Sequence, residues 1–100
     1  MKATEIKDIL FNKFQDENCG FQKSDIKVNK TKNGFDVTIK DYEHITFNVE
    51  LEKDDYFGYV VYVYENWDGE KVNIIFEESK HDYRIETALV RLGYRIANTF

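Results

Sequence analysis

With 100 residues, 42% of them hydrophobic and 33% charged, the chain has the composition of a folded globular domain and lies far from the disordered class. Its 19 acidic and 14 basic residues leave a formal charge of -5, which argues against unspecific nucleic acid binding, since that needs a surplus of Lys and Arg to displace counterions. Cys19 is the only cysteine, which excludes an internal disulfide and fits a reducing compartment.

A chain of this length buries about 60–70% of its unfolded surface around one core, so one α+β domain over residues 1–100 is expected. The opening stretch MKATEIKDILFNKF lacks the apolar run of a signal peptide, and no run of about 18 apolar residues occurs anywhere. A cytoplasmic protein with no membrane partner is therefore expected.

Residues 3–17 read as an amphipathic helix, because Ala3, Ile6, Leu10 and Phe14 recur at three- and four-residue spacing with Ile9 and Phe11 beside them. Gly20 is the expected helix stop, with Cys19 half-buried at the helix end. From Ile26 the period changes to two. Ile26 and Val28, then Phe35, Val37 and Ile39, then Ile45, Phe47, Val49 and Leu51 alternate with polar residues, as in half-buried strands.

Asn33-Gly34 predicts a type I′ hairpin turn, which requires positive φ at both central residues, and Asp68-Gly69 predicts a second. KDYEHI joins the second and third strands by a short loop, and the charged LEKDDYF reads as the next connection. YFGYVVYVYENW and KVNIIFEE form the fourth and fifth strands. After ESKHD the helical period returns with Ile85, Leu89, Leu92 and Ile96 in one stripe and Ala88 beside it, with Ser79 or Asp82 as the N-cap. The expected architecture is a two-layer α+β sandwich: a five-stranded antiparallel meander with the N- and C-terminal helices packed on one face.

A two-residue turn at Asp68-Gly69 pairs Val63 with Ile74, Val61 with Phe76, Tyr62 with Ile75 and Tyr64 with Asn73. The inner face then collects Ile26, Val28, Val37, Ile39, Phe47, Val49, Tyr59, Val61, Val63, Val72, Ile74 and Phe76. The outer face carries Val60, Tyr62, Tyr64 and Ile75 in one corner, bordered by His44, Thr46, Asn48, Thr38 and Lys40, with His44 opposite Tyr64. Aromatics are good strand formers in their own right, but a contiguous apolar corner also marks an interaction site.

Tests for chemistry give little. There is no CxxC, HxH or HExxH, so no metal is expected, and the glycines at 20, 34, 58, 69 and 93 stand singly, so no phosphate loop and no cofactor are expected. Paired carboxylates such as Glu50 and Glu52, or Asp54 and Asp55, show no apolar pocket that would raise a pKa, and HDYRIE reads as a capped helix start, with His81, Asp82 and Arg84 there solvated. No catalytic residue is assigned and an enzyme is not expected.

The reading the sequence favours is a non-catalytic protein-binding module. Its type would be a small inhibitor or immunity protein, including those of phages and mobile elements that counter defence systems. The contact residues assigned are Val60, Tyr62, Tyr64, Ile75 and His44 with the acidic Glu65, Asp68, Glu70 and Glu77. The partner expected is a larger protein, such as a nuclease, with a basic or aromatic-accepting surface. Two alternatives stay open. One is a nucleic-acid-binding domain using Arg84, Arg91 and Arg95 on the last helix, although neighbouring acids such as Asp82 and Glu86 offer those arginines local ion pairs. The other is a structural homodimer through the aromatic corner.

Overall fold

In the computed structural model the described residues are 2–54, 58–78 and 85–100, of which 53, 54, 58–60 and 73–78 enter by their backbone alone. Helix α1 (Ala3–Asp16) leads through a short 3-10 turn (Lys23–Asp25) into strands β1 (Ile26–Lys30), β2 (Gly34–Ile39), β3 (Ile45–Asp54), β4 (Gly58–Trp67) and β5 (Glu70–Glu78), and helix α2 (Ile85–Thr99) follows. The strands form one antiparallel sheet in the order β1-β2-β3-β4-β5, the expected meander. The caps proposed at Ser79 and Asp82, and with them His81 and Arg84, lie outside the described residues.

Apolar periodicity decides which side the helices take. Ile6, Leu10 and Phe14 of α1 and Ala88, Leu89, Leu92 and Ile96 of α2 are buried against Ile26, Phe35, Val37, Ile39, Ile45, Phe47, Val49, Val61 and Val63 of the sheet. The other face of the sheet is covered by neither helix. The helices meet at Gly93, where a Cβ would come within 2.9 Å of the Lys13 Cβ, so the missing side chain is what allows the close approach. At one end of the layer Phe21 packs edge-on to Phe14, Tyr42 and Phe100 with ring centroids 5.9–6.0 Å apart, and Cys19 sits half-buried beside them.

Four local features differ from the sequence expectation, each for a physical reason. Helix α1 is stopped by Asn18 and not Gly20. Asn18 takes φ 55°, its N–H donates to Gln15 O at 3.1 Å, and the N–H of Cys19 donates to Phe14 O at 2.8 Å. Asparagine is one of the few non-glycine residues that enter this left-handed cap readily. Second, the β1–β2 hairpin is not a type I′ turn at Asn33-Gly34. Neither residue has positive φ, and residues 31–33 form the loop, closed by Thr31 N–H to Gly34 O at 3.0 Å. Gly34 belongs to β2 opposite Glu50, and a Cβ there would fall on the Val49 carbonyl, so it serves close strand approach.

Third, LEKDDYF is not a loop throughout: Leu51–Asp54 continue β3, paired with Val61 to Gly58. Fourth, β5 is irregular. The Asp68-Gly69 turn is as expected, with φ of 52° and 86°, and Trp67 and Asn66 pair with Glu70 and Lys71. Register shifts then intervene, so that Glu65 pairs with Asn73, Tyr64 with Ile74, Val63 with Phe76, Tyr62 with Glu77 and Val61 with Glu78. Val72 and Ile75 are the residues left over, which marks two bulges. Val72, expected inside, is 55% exposed.

The two readings of Gly34 separate by experiment. Gly34→Ala is expected to destabilise the fold by about 3 kcal/mol or more, because two strands must part to admit a methyl group. A loss of about 1 kcal/mol in chemical denaturation would instead mark an ordinary turn glycine.

Candidate functional site

Period-two alternation along β3 and β4 sorts the outer-face residues. Thr46, Asn48 and Glu50 point away from the helices on β3, and their partners on β4 are Asn66, Tyr64 and Tyr62. Tyr62 and Tyr64, two residues apart on one side of the strand, stack with centroids 5.8 Å apart and planes 7° from parallel. The Lys71 ammonium sits 3.6 Å from the centroid of Tyr64, a cation–π contact. The two-residue turn makes that contact: it pairs Lys71 with Asn66, the outer-face neighbour of Tyr64.

Flanked in this way Tyr64 is only 9% exposed, and half-buried Tyr62 is the more open ring of the two. Next to the rings a polar ladder crosses three strands. Asn66 Nδ2 donates to Asn48 Oδ1, and Asn48 Nδ2 donates to Asp36 Oδ1. Uncharged side-chain amides thus occupy the middle of the face, and their chain of hydrogen bonds ends on the acid Asp36.

The structure places the sequence-assigned residues unequally. Tyr62 and Tyr64 share the outer face, while Asp68 and Glu70 are exposed at the tip of the β4–β5 hairpin. The side chains of Val60, Ile75 and Glu77 lie outside the described residues, although the backbone register brings Glu77, and not Ile75, opposite Tyr62. His44 is exposed but does not neighbour Tyr64: its ring packs edge-on to Trp67 at 5.9 Å, and its carbonyl accepts from the Asp68 N–H at 2.8 Å. The reason is register, since Ile45 pairs with Trp67 and Asn48 with Tyr64.

Glu65 does not belong to the outer patch. It shares the parity of Val61 and Val63, lies on the helix-covered face, and is 2% exposed. A carboxylate there requires partners, and among the described residues it has two: Trp67 Nε1 donates to Oε1 at 2.6 Å, and Arg95 of α2 donates to Oε2 at 3.1 Å. That contact also revises the arginine stripe. Arg95 is paired across the layers with Glu65, and Arg84 and the local acid Asp82 lie outside the described residues.

Sequence reasoning missed Lys71 over Tyr64, the Glu65–Arg95 pair and the exposed pair Val90 and Tyr94 on α2. Each left a signal: the turn register for Lys71, the strand parity for Glu65, and a four-residue spacing just off the buried stripe for Val90 and Tyr94. Among the described residues no three His, Cys, Asp or Glu side chains gather into a metal-binding group, and no helix is long and apolar enough to cross a membrane. No protein-family model, curated protein or solved structure matches the chain.

The Glu65–Arg95 bond is expected to show as energetic coupling. Glu65→Ala and Arg95→Ala should each destabilise the fold by about 1–3 kcal/mol, and the double variant by clearly less than their sum. Strict additivity in denaturant unfolding would show that the pair contributes no coupling.

Proposed function

We propose that the chain is a non-catalytic protein-binding module, a small inhibitor or immunity-type protein of the sort phages and mobile elements use against defence systems. The observation that carries this reading is the Tyr62–Tyr64 stack, held under Lys71 on a sheet face that neither helix covers. Tyrosine supplies large contact area while losing few rotamers, and stacking has already removed part of that freedom. The exposed acids Asp68 and Glu70 at the adjoining hairpin tip add orientation toward a basic surface, such as the nucleic acid channel of a nuclease. Glu65, enclosed beneath α2, has no part in this contact.

The chemistry divides the labour. Desolvation of Tyr62, the more open ring of the pair, gives affinity, with Tyr64 as its fixed stacking support, and the rim acids act mainly on the association rate and its salt dependence. Blocking a basic channel needs only occupation of the surface, so the module requires no reactive group of its own.

The test is residual cleavage by a panel of purified nucleases with basic channels, assayed with the chain in excess. The expected outcome is inhibition of at least one, weakened by about 30-fold or more in Tyr62→Ser/Tyr64→Ser, a loss of about 2 kcal/mol. Asp68→Lys/Glu70→Lys should slow association and flatten its salt dependence, with both variants checked for retained far-UV circular dichroism. Undiminished inhibition by both variants would remove the reading.

A further inference from the structure

On the opposite side of the molecule, the line where α1 and α2 meet leaves a shallow groove of about 420 Å³ lined by Lys13, Val90, Arg91, Tyr94 and Arg95. Its floor carries two exposed apolar side chains: Val90 is 42% and Tyr94 52% exposed, one turn apart on α2. Every charged side chain that lines it is cationic, in a chain whose net charge is -5.

Two of the three cations, Lys13 and Arg95, are held in place by carboxylates. Glu65, itself buried, holds Arg95 by the 3.1 Å bond, and Lys13 is held by Glu17 at 3.2 Å with its ammonium 5.7 Å from the Tyr94 ring centroid. Holding these long side chains before a ligand arrives removes part of the ordering cost of binding. Tyrosine and arginine together are also the composition in which interface energy concentrates.

The charge pattern selects the occupant. Beyond Val90 the groove continues into a second hollow of about 290 Å³ where Asp16 and Glu86 replace the arginines. A nucleic acid strand running along the groove would meet those carboxylates. A short acidic segment fits the cationic half alone.

We propose that the groove formed by Lys13, Val90, Arg91, Tyr94 and Arg95 is a docking site for an acidic protein segment that carries an apolar side chain. The carboxylates face Arg91 and Arg95, and the apolar group covers Val90 and the Tyr94 ring. This surface is separate from the tyrosine face, so the module has two contact surfaces of opposite charge preference.

The probe is a synthetic twelve-residue peptide rich in Asp and Glu with one central Trp, titrated into the ¹⁵N-labelled full chain and followed by amide chemical shifts and by fluorescence anisotropy. The expected result is saturable binding with a Kd between roughly 0.01 and 1 mM, with shifts confined to residues around positions 13 and 90–95. Binding should weaken with added salt and fall by about tenfold or more in Arg91→Glu and in Tyr94→Ala. Tyr62→Ser, on the other face, should leave it unchanged, which separates this proposal from the tyrosine-face reading.

No saturation by about 1 mM overturns the proposal. So does a shift map centred on Tyr62, or equal binding of the same peptide with Lys in place of its acids. Tighter binding of a single-stranded oligonucleotide of equal charge would assign the groove to nucleic acid instead. The shift map is read on the unaltered chain, so it stands even if a variant fails to fold.

Discussion

Two helices of 14 and 15 residues cover one face of a five-stranded sheet and leave the other to be made compatible with water by its own side chains. That constraint organises the molecule. On the covered side the alternation is filled by Val, Ile and Phe at nearly every position, burying surface at about 25 cal/mol per Å² of apolar area. On the open side the same strands carry Thr, Asn, Glu and two tyrosines, and there the amide ladder joins Asn66, Asn48 and Asp36 while Lys71 covers Tyr64. The aromatic pair is therefore integrated into a polar face. It does not stand out as a bare apolar patch.

Glu65 breaks the apolar rule on the covered side, and the exception ties the layers together. Its two oxygens bind the β4 tryptophan and the α2 arginine, so a single carboxylate fixes the end of the hairpin that bears Asp68 and the helix face that bears Tyr94. A buried ion pair of this kind is weak evidence for added stability, since desolvation offsets much of its attraction. Its consequence is geometric: Arg95 has a fixed direction at the edge of the α1–α2 groove, and Trp67, 40% exposed, is held beside His44. Of the two proposed contact surfaces, it is the α1–α2 groove that is bounded by a residue this carboxylate positions, Arg95.

Much of this was legible in the sequence. The change from a three-to-four-residue period to a two-residue period placed both helices and the first three strands apart from the end of β3, and Asp68-Gly69 announced its turn because few other pairs accept positive φ twice. Non-local facts were not legible. Gly34 looks like a turn residue until the Val49 carbonyl is seen where its Cβ would lie, and Asn18 ends its helix two residues before the glycine that looked like the stop. The β5 bulges obey no local pattern, and they displaced Val72 and Ile75 from the expected pairing. Glu65 was legible but misassigned: its acidity suggested the surface, while its parity with Val61 and Val63 indicated the interior, and the parity held because Arg95 was within reach.

The account rests on the two faces of the sheet differing in solvent access in the free protein. The most direct measurement is paramagnetic relaxation enhancement by a small neutral gadolinium chelate, recorded by side-chain and amide NMR at low and high protein concentration. The account predicts strong enhancement for Thr46, Asn48, Asn66 and Tyr62, weak enhancement for Val49, Val61, Val63 and Leu89, and the same pattern at both concentrations. Equal protection of the two sets would contradict it, and protection of the first set that grows with concentration would show the tyrosine face covered by a second copy of the chain.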